Sequence, residues 1–202
     1  MKYDKNINAE RYARGSEFEE TALEELKRVL EANFIFNYQI VKNVAYRSRN
    51  GKGSITISQI DSVLICEYGV FCLEMKNWKG VVTTTNDLDW KVTIDSYVKR
   101  YKNPVIQNEK HSAALKILLD NNLSDFKARN IPVYNLVLFS ENAILSNDMK
   151  DCVMYVKDVP TFVQKNNCRI NRTLAFDISR CLSRISEKNM EEFNRLHKHQ
   201  IQ

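Results

Sequence analysis

The chain has 202 residues, 44% of them hydrophobic and 27% charged, with only three prolines and five glycines, a balance that excludes a disordered or fibrous protein and suits one globular domain with a sizeable core. The net charge of +5 is compatible with a polyanionic partner and equally with solubility alone. No apolar run approaches the length of a membrane span, and the five cysteines (Cys66, Cys72, Cys152, Cys168, Cys181) are odd in number and lack a C-x-x-C pair, so neither a disulfide framework nor a zinc site is indicated.

The amino terminus, Met1 to Arg14, is polar and lacks the apolar middle of a secretory signal, which gives a cytoplasmic protein as the expectation. Gly15-Ser16 then precedes an amphipathic stretch from Glu17 to Leu30, with Ser16 as the expected cap and acidic residues crowding the first turn. At roughly 100° per residue, Phe18, Ala22, Leu23, Leu26, Val29 and Leu30 share one arc of about 140°. Glu19 falls inside that arc and Glu17 and Glu20 outside it. Glu19 is therefore aimed at the core, or at its edge where it reaches water.

Phe34 to Tyr46 reads as a first strand, and the polar loop 47–53 as a turn whose Arg47, Arg49 and Lys52 could touch phosphates. Ile55 to Cys66 is a second strand carrying Asp61 in its middle, against strand propensity. A hairpin at Glu67-Tyr68-Gly69 leads into Gly69-Val70-Phe71-Cys72-Leu73-Glu74-Met75-Lys76, a buried strand that ends by aiming Glu74 and Lys76 to one face. With Tyr68-Gly69 as the turn and Glu67 opposite Val70, Asp61 lies opposite Lys76 and Val63 opposite Glu74. Asp61, Glu74 and Lys76 then project together. Taken alone, Glu-x-Lys is also a common surface pair.

Val81 to Thr85 and Trp90 to Ile94 read as short strands, with Trp78 and Trp90 as packing residues. Asn103-Pro104 opens a helix to about Leu119, on which Gln107 and His111 stand i, i+4 apart. Val133 to Phe139 is a buried strand, Val153 to Val156 a shorter one, Val159 to Gln164 a short helix, and Arg172 to about His199 a long helix or pair of helices. His197-Lys198-His199 reads as a fraying tail and not as a metal site.

The combination of Gly15 with Glu19, Gln59-Ile60-Asp61, Glu74-Met75-Lys76-Asn77-Trp78-Lys79-Gly80, and Asn103-Pro104 followed by Gln107 and His111 resembles the PD-(D/E)xK nuclease superfamily, and more narrowly its nuclease-related domain (NERD) family, over roughly residues 11 to 140. Ile60 stands where the superfamily pattern has proline. Three residues separate Gly15 from Glu19, and the helical face favours Glu19 over Glu17. The resemblance implies an α/β, restriction-endonuclease-like mixed sheet flanked by helices over 11–145, with a mostly helical extension over 146–202 on the same body.

It also implies a nuclease dependent on Mg²⁺, for which Mn²⁺ can substitute, acting on DNA or, as the alternative, RNA. Asp61, Glu74 and the Met75 carbonyl would ligate the metal. Lys76 would orient or deprotonate the attacking water and stabilise phosphorane charge, Glu19 would assist through a water, and Gln107 would position Lys76 or the nucleophile. His111 and Gln59 stand as accessory candidates, and Arg47, Arg49, Lys52 and Lys79 as phosphate contacts. No membrane partner is expected, and a homodimer stays open. The competing class is a non-catalytic nucleic-acid-binding or interaction module on the same fold.

Overall fold

In the computed structural model, residues 3–49, 54–85, 88–123 and 131–198 are described, without the side chains of 3–16, 49 and 193–198. The chain is mixed α/β. It runs α1 (Tyr3–Ala32), β1 (Tyr38–Arg49), β2 (Ile55–Cys66), β3 (Gly69–Lys76), β4 (Gly80–Thr84), β5 (Asp89–Ile94), β6 (Tyr97–Lys102), α2 (Pro104–Asn122), β7 (Val133–Phe139), β8 (Ala143–Leu145), β9 (Val153–Tyr155), a 3-10 turn (Val156–Asp158), α3 (Val159–Val163) and α4 (Arg172–Lys198).

Two sheets form, in the orders β1-β2-β3-β7-β9 and β6-β5-β4-β8. Both are mixed, because antiparallel hairpins are joined by parallel pairs, β7 with β9 and β4 with β8. Two mixed sheets with helices and a carboxy-terminal helix are consistent with a restriction-endonuclease-like fold. Among the described residues no helix is long and apolar enough to cross a membrane.

Two compact units divide the chain, each assembled from three segments. The first takes residues 1–36, 74–110 and 135–165. Its core gathers Val82, Trp90, Val92, Val105, Val137 and Phe139, with Trp78 and Tyr101 packed against it. The second takes residues 37–73, 111–134 and 166–202. There Val44, Ile60, Val63, Ile65 and Cys72 pack with Leu115, Leu119, Ile178 and Leu182. Helix α4 also blunts the open edge of β1: Ser186 Oγ receives the Ala45 N–H and donates to the Asn43 carbonyl, and Asn189 Nδ2 donates to the Ala45 carbonyl. An edge strand left bare would expose those groups as a template for another chain.

Several expected boundaries move. Helix α1 begins at Tyr3, so position 16 lies inside the helix and not at its start. Upstream residues such as Ala9, Glu10, Arg11 and Ala13 carry good helix propensity, which outweighs the cost of about 1 kcal/mol for one interior glycine. The first strand starts at Tyr38 and not at Phe34, because Leu30 to Ile35 close α1 in a Schellman turn: Ile35 N–H donates to Leu30 O at 2.9 Å and Phe34 N–H to Glu31 O at 3.0 Å. That strand runs on to Arg49, through part of the expected loop.

The hairpin register differs by two residues from the expected one. Cys66 faces Gly69, Ile65 faces Val70 and Val63 faces Cys72, so Val63 is not opposite Glu74, and the turn is Glu67-Tyr68. Gly69 is the first strand residue, with φ 149°, and a Cβ there would stand 2.7 Å from the Tyr134 ring. The close-packed ring reserves that position for glycine and moves the turn one residue earlier. A displacement of two residues leaves every side chain of the two paired segments on its expected face.

Candidate active site

Helix α2 is fixed at its start by three asparagines. Asn103 Oδ1 accepts the Val105 N–H at 2.9 Å, the expected cap. Asn108, with no exposed surface, donates through Nδ2 to Asn135 Oδ1 at 2.6 Å and to the Leu136 carbonyl at 3.0 Å, and Asn135 Nδ2 returns to the Val105 carbonyl at 3.1 Å. A buried amide with partners resists displacement, since any shift leaves polar groups unpaired. The first turns of α2 are thereby pinned to β7.

That placement brings the neighbouring Gln107 to Glu74. Gln107 Nε2 donates to Glu74 Oε1 at 3.0 Å, and Lys76 Nζ makes an ion pair with the same oxygen. The Glu74 side chain is 3% exposed and that of Lys76 is 21% exposed. An ordinary surface Glu-x-Lys pair would leave both heads in water. Here a carboxylate is held inside with a cation and an amide among its partners, as a buried charge requires.

The segment beyond Lys76 is closely packed. Ser140 N–H donates to the Lys76 carbonyl at 3.3 Å. Trp78 stacks on Tyr101 with ring centroids 4.3 Å apart and meets Trp90 and Phe139 edge-on, so both tryptophans are packing residues as expected. Gly80, with φ 95°, closes the motif because a Cβ would fall 2.2 Å from the Thr93 carbonyl oxygen.

Glu19 also belongs to the first unit. It is half-buried while Glu17 and Glu20 are exposed, the distinction the helical face predicts. Lys79 is exposed on the link between β3 and β4.

The second unit holds Asp61, Gln59 and His111. Asp61 is half-buried in β2. The β1–β2 ladder pairs Lys42 with Ser62 and resumes with Val44 and Ile60; between them stands Asn43 at φ 55°. Gln59 Nε2 donates to Asn43 Oδ1 at 2.6 Å, and Ser62 Oγ donates to the Asp61 carbonyl at 2.7 Å.

His111 is buried, with Nδ1 2.9 Å from the Tyr46 hydroxyl. Burial raises the Tyr46 phenol above its ordinary value, so it stays protonated. Nothing in the spacing of the sequence points to Tyr46; only the fold joins residues 65 positions apart.

Of the expected phosphate contacts, Arg47 is engaged by Glu192 of α4. The Arg49 side chain and all of Lys52 lie outside the described residues, as do His199 and the His197 side chain. Among the described residues no three His, Cys, Asp or Glu side chains gather to hold a metal ion.

A family model described as nuclease-related domain matches residues 14–140. An uncharacterized protein of Bacillus anthracis is 26% identical over an alignment of 141 residues that covers 66% of this chain and 65% of that protein. The chain thus spans a little under two thirds of that relative's length. No solved structure matches it.

Proposed function

Because this chain belongs to the nuclease-related domain family, we propose that it is a metal-dependent nuclease hydrolysing phosphodiester bonds in DNA, with RNA as the second substrate class. The observation that carries the reading is the buried Glu74 carboxylate held by Lys76 and Gln107. Asp61 and Glu74, with the Met75 carbonyl, would hold Mg²⁺ or Mn²⁺. The donor set suits such an ion, being made of hard oxygen atoms with no thiolate or imidazole among them. When bound, the ion would lower the pKa of water and neutralise charge on the scissile phosphate.

The chain's own residues divide the remaining work. Lys76 supplies a fixed positive charge beside the phosphate, stabilising the charge that grows on its oxygens. Gln107 holds Glu74 Oε1 in place, so the carboxylate does not have to reorganise when substrate arrives. Glu19, turned from solvent on α1, assists as a carboxylate that positions water. His111, oriented by Tyr46, is an accessory group.

The test incubates purified protein with supercoiled plasmid, linear DNA and RNA, each in Mg²⁺, Mn²⁺ or chelator, beside Glu74→Gln and Asp61→Asn. A nuclease cleaves only with metal, and both variants lose cleavage. Equal nucleic-acid binding in chelator and in metal, with no cleavage in either, would replace the nuclease with a binding module.

A further inference from the structure

The sheet β6-β5-β4-β8 has one face in the core of its unit, through Val82, Trp90 and Val92. Alternation places Thr83, Lys91 and Arg100 in register along a row on the other face. A second row on that face runs Ile144, Val81, Thr93 and Val98. Ile144 is 61% exposed, Val98 51% and Val81 39%. This face of the sheet is uncovered within its unit.

Lys91 and Arg100 are directly opposite each other on neighbouring strands. Like charges in that position oppose the strand pairing. Some surface cations of the same unit have acidic partners, as Lys27 with Glu24, Lys150 with Glu109 and Lys157 with Glu141 do. Lys91 and Arg100 have no ion-pair partner among the described residues. The next cross-strand pair on this face, Asp89 with Lys102, adds one acid and one base. Both ends of the hairpin array adjoin the candidate site in the chain, since β4 starts four residues after Lys76 and β6 ends five residues before Gln107.

We propose that this face binds the phosphate backbone of nucleic acid, with Lys91 and Arg100 neutralising adjacent phosphates and the Val81, Val98 and Ile144 row lying against the sugars and bases. The proposal deepens the nuclease reading by adding a substrate-holding surface outside the carboxylate site. Charge decides the occupant. A second copy docked through the same face would set two cation pairs against each other, whereas a polyanion cancels the repulsion that Lys91 and Arg100 impose on the hairpin.

The experiment measures binding of labelled single-stranded and duplex oligonucleotides in chelator, across a salt series, for the wild type and for the Lys91→Ala/Arg100→Ala double variant. Losing two phosphate contacts lowers affinity by about tenfold or more and reduces the slope of log K against log salt by about 1.4 for single strands to about 1.8 for duplex. The Arg100→Gln single variant, altered only on the exposed edge strand, should lose about half of that slope and carries the test if the double variant folds poorly. Unchanged affinity and slope would overturn the proposal, as would binding of anionic phospholipid vesicles in place of oligonucleotide. Conversion of a wild-type dimer to monomer without loss of oligonucleotide binding would also overturn it. Plasmid cleavage by the wild type in Mg²⁺ is scored separately. Cleavage with normal binding by the double variant sinks only this face; binding that depends on Lys91 and Arg100 without any cleavage sinks only the nuclease.

Discussion

Gln107 on α2 donates its amide N–H to Glu74 Oε1 on β3 at 3.0 Å, across 33 positions of sequence. The bond ties the helix that follows β6 to the strand that carries Glu74 and Lys76. Gln107 is itself exposed as a residue, so water can replace its amide when it is truncated. We therefore expect Gln107→Ala to cost only about 1 kcal/mol in stability, while nuclease turnover falls by about tenfold or more through loss of carboxylate positioning. Gln107→Glu should be worse on both measures, because it places a second negative charge against Glu74. Turnover that is unchanged in Gln107→Ala would remove Gln107 from the site.

The end of α1 offers a test that is independent of function. Phe34 occupies the left-handed position of the Schellman turn at φ 62°, with 81% of its surface exposed and its ring edge-on to Phe36 at 6.2 Å. Phenylalanine in that conformation costs roughly 1–2 kcal/mol, against which glycine adds back about 0.5–1 kcal/mol of unfolded-chain entropy. Phe34→Gly should thus raise the melting temperature slightly, by a net gain of at most about 1.5 kcal/mol. Phe34→Val should lower it, since β-branched residues tolerate this region least. If the glycine variant is less stable, the exposed ring pair with Phe36 contributes more than the backbone strain it accompanies.

The strands β2, β3 and β7 were legible in the sequence because each combines β-branched or aromatic residues with a buried face. Strand β6 was not, since Tyr97-Val98-Lys99-Arg100-Tyr101-Lys102 lies at a sheet edge and has no residue fully buried. Three-residue β8 carries too little pattern to register at all. The hairpin register departs from the local turn rules because Gly69 is reserved by Tyr134, a contact 65 positions away that those rules do not contain. In the candidate site, Glu74 and Lys76 were readable from strand alternation. The reach of Gln107 to Glu74 depends on Asn108 and Asn135 pinning α2, and Tyr46 meets His111 only through tertiary packing.

Burial pushes the Cys66 thiol up to about 11. An unfolded thiol titrates near about 8.5. With the folded value raised, the contribution to stability is complete below the unfolded pKa. It is lost as pH climbs through the folded value, because the unfolded chain gives up its proton first. Urea unfolding at pH 8 and pH 10.5 should therefore show a larger loss for the wild type than for Cys66→Ala. The excess between those two pH values should amount to roughly 2 kcal/mol. Cys152, Cys168 and Cys181 are also raised by burial and titrate in both proteins, so the difference isolates Cys66. Equal pH dependence in the two proteins would show that the Cys66 site is open to water.

Lys76→Met keeps most of the apolar stem and removes the charge that meets Glu74. Since the Glu74 side chain is 3% exposed, its carboxylate keeps the Gln107 amide but loses the Lys76 cation. Breaking a fully buried pair costs about 3–5 kcal/mol; Lys76 is partly open to solvent, which reduces the expected loss to about 1–3 kcal/mol. Glu74→Gln should also destabilise, by stranding the lysine. The Glu74→Gln/Lys76→Met double variant leaves neither charge unpaired, so its melting temperature should lie above the sum of the two single losses. Nuclease turnover should behave differently, because in the proposed mechanism both groups act on the same transition state. Lys76→Met should lose on the order of 10²–10³ in rate, Glu74→Gln should be inactive, and the double variant should recover stability without recovering cleavage. Cleavage by Lys76→Met at the wild-type rate, with an intact fold, would reduce the pair to a structural one and take the lysine out of the proposed mechanism.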